Sequence, residues 1–195
     1  MQHIVEFIFE LEKLKGVTRK TRPIGLDRYE NSAEHSWQIA LLAASLAPYA
    51  HAPVDIDRVI QMLLVHDIGE IDTGDTIFYA DVDWKDHKAR ELAAVTRIFG
   101  KLGAAGARFI ELWKEFEAAE TADARFANVA DRAMPVLLNL ANNGQSWREN
   151  GITHELVVKR VAPPIKAGCP ALWEYLEVRL EEERRKGWFG AAGVP

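Results

Sequence analysis

Apolar residues recur along most of this 195-residue chain at the three-and-four spacing of a helix face, and candidate strands are scarce. Ile4, Phe7, Ile8, Leu11 and Leu14 follow the spacing of one buried face. A second helix opens near Asn31 or Ser32, where Asn31 and Glu34 have the spacing of a capping box, and runs through His35, Ile39, Leu42 and Leu46. A third begins at about Asp55 and carries Ile56, Val59, Ile60, Leu63 and Leu64 up to His66, with Gly69 as its end and a polar loop from Asp72 to Asp75. Further helices are predicted over about Asp83 to Leu102, Ala104 to Ala119, from Thr121 past Leu137, Thr153 to Val161 and Ala171 to Lys186. Only Asp75 to Ala80 invites a strand. No repeat or flexible linker divides the chain, so the expectation is an all-α, single-domain bundle over 1–195, with its core at about 2–186 and a short C-terminal tail.

Composition narrows the function. Hydrophobic residues at 48% and charged ones at 27% describe an ordinary soluble protein. A net charge of −5 argues against a nucleic-acid binder, which needs clustered Lys and Arg, but leaves room for a small anionic substrate. The single cysteine, Cys169, excludes an internal disulfide and fits a reducing, cytoplasmic compartment. Glu6, Glu10 and Glu12 spoil the N-terminus as a signal peptide, and no apolar run spans a bilayer, so no membrane is expected.

The chemistry concentrates in His35, the pair His66-Asp67 and the distant Asp131. Two imidazoles and two carboxylates suit a borderline divalent cation. Each lies in an otherwise apolar helical stripe, where a lone Asp would carry a large desolvation cost. Neighbours on a helix point about 100° apart, so His66 and Asp67 reach one ion only from beside the helix end. Pro135 cannot donate to the Asp131 carbonyl; a kink that aims the Asp131 side chain and a proline tolerated for packing are equally good readings.

Glu34-His-Ser36, His66-Asp-Ile-Gly-Glu70 with Thr73-Gly-Asp75, and Ala130-Asp131 come in the order found in the HD-domain phosphohydrolases. The sequence resembles most the branch containing bacterial 5′-deoxynucleotidases and their HD-hydrolase relatives. That resemblance covers almost the whole chain. It implies a helical fold, phosphomonoester hydrolysis on nucleotides, one divalent metal (Mn²⁺, Co²⁺, Zn²⁺, Fe²⁺ or Mg²⁺) on His35, His66, Asp67 and Asp131, and often a homodimer. Glu70 matches the catalytic carboxylate beside the metal, Asp75 a second acid in the pocket, and Arg19 the arginine that binds the 5′-phosphate. Lys20 stands where the deoxynucleotidases have a tryptophan that helps exclude ribose, so deoxy selectivity does not carry over. Lys20 and Arg22 are nearby auxiliary cations, and Asp75 is placed to share acid–base work and substrate contact.

Other readings compete. An HD hydrolase of a triphosphate or alarmone would need more cations than these, and a silent metal- or nucleotide-binding sensor would not need Glu70. His3, His51, His87 and His154 read as ordinary core or surface residues, with only His87 lying in the interval where two-metal relatives insert extra ligands. Trp37, Trp113, Trp147 and Trp173 read as core or interface aromatics, Asp72 and Asp123 as turn or cap residues, and Glu181 to Lys186 as a solvated helix face. Trp188-Phe189 reads as a segment that docks on the body or on a second subunit.

Overall fold

Capping chemistry sets most of the helix starts in the computed structural model, which describes residues 1–190. α1 (Gln2–Leu11) runs into a 3-10 turn, Glu12–Gly16. α2 (Ser32–Leu46) opens with both halves of the capping box: Asn31 Oδ1 accepts from the Ala33 and Glu34 amides, and Glu34 accepts from the Asn31 amide. Asp55 caps α3 (Ile56–Val65), which is followed by the single turn α4 (Glu70–Thr73). Asp83 caps α5 (Trp84–Gly100), and α6 (Ala107–Ala118) follows a 3-10 turn, Gly103–Gly106. Thr121 caps α7 (Ala122–Ala141), and Asn139 Oδ1 accepts the Ser146 and Trp147 amides in the first turn of α8 (Gln145–Glu149). Thr153 caps α9 (His154–Gly168), and Pro170 opens α10 (Pro170–Arg185), where its missing amide costs nothing. Each side-chain cap contributes about 1 kcal/mol.

α7 is the hub, packing against α2, α3, α6 and α9, while α10 closes over α9. Ala124, Ala127, Ala130 and Ala133 are all buried and lie three residues apart, so small side chains let neighbours approach this helix closely. Around them sit Ile39, Leu63, Phe126, Val136 and Ile165, each fully or almost fully buried and worth about 1.5–3 kcal/mol. The bundle is all-α; among the described residues the only β pairing is one antiparallel bridge, Thr18 to Asn31. No helix among them is long and apolar enough to cross a membrane.

Some local expectations are corrected and others hold. In α1 only Phe7 and Glu10 are buried, while Ile4 and Ile8 remain 42% and 49% exposed, because this terminal helix packs on the body along one narrow line. Residues 75–80 form an irregular turn and no strand. Gly69 does not end α3 with a left-handed cap; a Cβ there would meet the α5 backbone at Glu91, 3.1 Å from its carbonyl oxygen, so glycine serves close approach. α7 continues unbroken through Pro135, and α9 continues through Pro163 and Pro164 to Gly168, because burial of Val157, Val161 and Ile165 holds the helix. Asp72 pairs with Arg97 on the surface, and Asp123 accepts the Asp55 amide. Trp37 is exposed, whereas Trp113, Trp147 and Trp173 are core. Glu183, inside the supposedly solvated run, is fully buried. Phe189 stacks on Trp147 with ring centroids 4.4 Å apart, so the tail docks on the body.

Candidate functional site

The first turn of α2, the end of α3 and the middle of α7 meet inside the bundle. His66 is the C-terminal cap of α3, so Asp67 already lies in the turn beyond the helix. That placement lets two adjacent side chains converge. The turn is pinned by Trp113 Nε1, which donates to the His66 carbonyl at 2.9 Å. His66 Nδ1 donates to the Leu63 carbonyl at 2.8 Å, which directs the Nε2 lone pair inward.

His35, His66 and Asp131 are buried and bring donor atoms within 4.8 Å of one another. His35 Nε2 lies 3.1 Å from Asp131 Oδ1, and His66 Nε2 lies 3.6 Å from the same oxygen. Asp67 Oδ1 is 2.9 Å from His66 Nε2, while its Oδ2 is held at 2.9 Å by Arg19 Nη1. Asp67 thus borders the three-residue cluster without joining its tightest grouping. His66 Nε2 comes this close to two carboxylates yet hydrogen-bonds to neither, and His35 Nδ1 is buried without a partner, 3.8 Å from Glu30. Two buried imidazoles and two carboxylates converging this closely fit a divalent cation.

Charge is strongly redistributed here. Burial and the nearby Arg19 push the His35 imidazole down to about 4, so it is neutral and able to coordinate. Burial opposes charge on His66, but Asp67 and Asp131 outweigh it and hold that ring well above the ordinary imidazole value. Burial would raise Asp131 too, yet Arg132, His35 and His66 keep it ionised well below the ordinary range. His66 and Arg19 do the same for Asp67 against its burial.

The remaining candidates lie alongside. Glu70, the first residue of α4, is buried and accepts from Ser32 Oγ at 2.6 Å. Burial and the Asp67 charge raise its pKa well above the usual carboxylate value. Asp75 is raised by burial and sits 3.4 Å from Arg19 Nη1. Arg19 also faces Glu30 Oε2 at 3.5 Å, and its backbone amide donates to the Glu30 carbonyl beside the Thr18–Asn31 bridge. Burial works against its charge, but Asp67, Asp75 and Glu70 keep the guanidinium protonated. Lys20 lines the same cavity. Arg22 does not: it turns outward to Asp27 and Glu149.

The cavity in front of these groups measures about 260 Å³. Its far walls come from residues that sequence reading passed over: Arg132, Arg160 and Lys88, with Phe78, Tyr79 and Trp84. His87 also reaches it, 3.1 Å from Glu91 Oε1, though His87 and Glu91 join no metal-sized cluster among the described residues. Only Arg132, adjacent to Asp131, carried any positional signal. The arrangement can hold a cation, neutralise an anion with Arg19, and present the Glu70 carboxyl group, whose proton burial makes harder to lose.

No curated protein matches the chain. Among solved structures, it is similar to a predicted metal-dependent phosphohydrolase from Magnetospirillum magnetotacticum MS-1, at 42% identity over 97% of this chain and 95% of that one, with a TM-score of 0.91. Two archaeal proteins share the fold: one from Pyrococcus horikoshii OT3 at 22% identity, over 93% of this chain and 98% of that one, TM-score 0.61, and a conserved hypothetical protein from Pyrococcus furiosus at 21%, over 93% and 99%, TM-score 0.58. The family described as HD domain matches residues 11–173, a span that contains His35, His66, Asp67 and Asp131. The chain belongs to the HD domain family.

Proposed function

We propose that this protein is a metal-dependent phosphohydrolase that releases phosphate from nucleoside 5′-monophosphates, deoxynucleotides included, with His35, His66, Asp67 and Asp131 as its metal ligands. The observation that carries this reading is the unsatisfied His66 Nε2, aimed at Asp67 and Asp131 in a cavity that also holds Arg19 and Glu70. The description of the Magnetospirillum protein and the family membership support the metal-dependent phosphohydrolase class.

A divalent cation held there would polarise a phosphate oxygen and acidify a water, bringing its pKa down towards neutrality. The chain supplies the rest. Arg19 neutralises the phosphate and orients it by its guanidinium edge. Glu70, whose carboxyl pKa burial raises, donates a proton to the leaving 5′-oxygen as the P–O bond breaks. The proton lost by the attacking water restores Glu70, so one ester and one water give one alcohol and one phosphate. Ser32 fixes the Glu70 carboxyl through Oε2, and Asp75 shares the proton traffic on the Arg19 side. Lys20 reaches the same cavity, where its flexible cation offers no steric bar to a ribose 2′-hydroxyl. A homodimer that accompanies this reading would cover the exposed apolar residues of α1.

The deciding experiment is phosphate release from deoxy- and ribonucleoside 5′-monophosphates by metal-stripped protein resupplied with Mn²⁺, Co²⁺, Mg²⁺ or Zn²⁺. Release that requires metal and disappears in His66→Ala is expected. Absence of release with every metal, despite bound metal, overturns the reading.

A further inference from the structure

The cavity carries more cationic side chains than one phosphate requires, set among the carboxylates of Asp67, Glu70, Asp75, Glu91, Glu117 and Asp131. Five cationic side chains line it: Arg19, Lys20, Lys88, Arg132 and Arg160. Arg19 is committed to Asp67, Asp75 and Glu30, and Lys88 to Glu117. Arg132 touches one acid, Asp131 Oδ2 at 3.5 Å, which is itself assigned to the metal. Lys20 and Arg160 have no carboxylate within 4.0 Å among the described residues. Arg19, Lys88 and Arg132 are thus offset by acids of the same cavity, and Lys20 and Arg160 are the cations left for an entering anion.

Phe78 fixes the layout. The Arg132 guanidinium carbon lies 3.6 Å from its ring centroid and that of Arg160 lies 5.7 Å from the same point. The two guanidinium groups are therefore at most about 9 Å apart, the two legs laid end to end. Arg132 abuts Asp131 on one side and the ring on the other, so positive charge continues from the metal ligands on α7 to α9. A guanidinium lying over an aromatic face keeps its N–H edges available for phosphate oxygens.

We propose that Arg132 and Arg160, with Lys20 lining the same cavity, form a second anion subsite, and that the preferred substrate is a nucleotide carrying one phosphoryl group besides the one removed. This rests on the metal-dependent phosphohydrolase reading above and moves its preferred substrate from a monophosphate to a doubly phosphorylated nucleotide. The additional phosphoryl group can extend the 5′ chain, as in a nucleoside 5′-diphosphate, or sit across the sugar, as in a 3′,5′-bisphosphate.

The test compares kcat/KM for a nucleoside 5′-monophosphate, the matching 5′-diphosphate and the matching 3′,5′-bisphosphate, in the metal-loaded wild type and in Arg160→Gln. At least one doubly phosphorylated substrate is expected to be preferred about tenfold, equivalent to about 1.4 kcal/mol, and that preference is expected to collapse in the variant. The substrate that shows it distinguishes an extended chain from a group across the sugar. Equal or better use of the monophosphate by the wild type overturns the subsite, as does a preference that survives both Arg160→Gln and Lys20→Gln. Failure of the phosphohydrolase reading looks different, since no phosphate then leaves any of the three. In that event, calorimetric titration of the wild type with monophosphate, diphosphate and bisphosphate still decides the subsite: tighter binding of either doubly phosphorylated nucleotide upholds it, and equal binding of all three overturns it.

Discussion

Arg19 Nη1 lies 2.9 Å from Asp67 Oδ2, joining residues 48 positions apart in the chain. The side chain assigned to the phosphate is thus also the counter-ion of a proposed metal ligand. Its partners Asp67, Asp75 and Glu30 are all buried or nearly so, and removing it strands them. Arg19→Ala is expected to destabilise the metal-stripped protein by about 3–5 kcal/mol, the usual cost of breaking a buried ion pair. Metal restores part of this by neutralising Asp67. Denaturant unfolding with and without metal checks both halves, and an unchanged midpoint in the stripped variant contradicts the pairing.

His66 Nε2 is the donor aimed most directly at the carboxylates, with its ring fixed by the Leu63 carbonyl. His66→Ala is expected to reduce bound metal from about one ion per chain to a small fraction, with turnover lost alongside. Metal analysis after dialysis reads this directly. Retention of stoichiometric metal in the variant removes His66 from the ligand set.

Glu70 is expected to separate metal binding from turnover. Glu70→Gln keeps the volume and the Ser32 contact but cannot deliver a proton, so metal content holds while kcat falls about 10²–10⁴-fold. Ser32→Ala, which frees the Glu70 carboxyl without removing it, is expected to cost less in kcat. If Glu70→Gln turns over at the wild-type rate, the acid lies elsewhere in the cavity.

Glu91 makes a pH signature. Burial and Glu117 raise its carboxyl to about 7 in the folded protein, against 4.5 for the ordinary group. A raised acid binds its proton more tightly when folded, so its contribution to stability is complete below about 4.5 and is lost as pH climbs towards and through 7. In the metal-stripped protein, Glu91→Gln is therefore expected to gain stability relative to wild type by about 2–3 kcal/mol on going from pH 4.5 to 7.5. Unfolding free energies at the two pH values measure it. A difference between the two proteins that stays flat with pH would falsify the assignment.

The architecture was legible because its determinants are local. Asn31 with Glu34, Asp55, Asp83, Thr121 and Thr153 are caps readable within one turn, and each starts a helix where expected. The misses share a cause as well. Ile4 and Ile8 keep helical spacing but stay nearly half exposed, Glu183 is buried by what surrounds α10, and α9 runs past two prolines because its packing outweighs a penalty of about 3 kcal/mol for each. Period and composition report what a helix could bury, and tertiary contact decides what it does bury.

The same division runs through the site. The sequence by itself determined the helical class and singled out His35, His66, Asp67 and Asp131, since a polar residue in an apolar stripe needs a partner wherever the chain goes, while Glu70, Asp75 and Arg19 entered through the family resemblance alone. Only the tertiary structure decided which partners they have. It set Arg19 against Asp67, drew His35, His66 and Asp131 into a cluster with Asp67 at its border, and turned Arg22 away from the cavity to Asp27 and Glu149. It also brought Arg132 and Arg160 to one phenylalanine ring. Charges interact through distance in space, and helices joined by turns carry residues from remote parts of the chain to within a few ångströms.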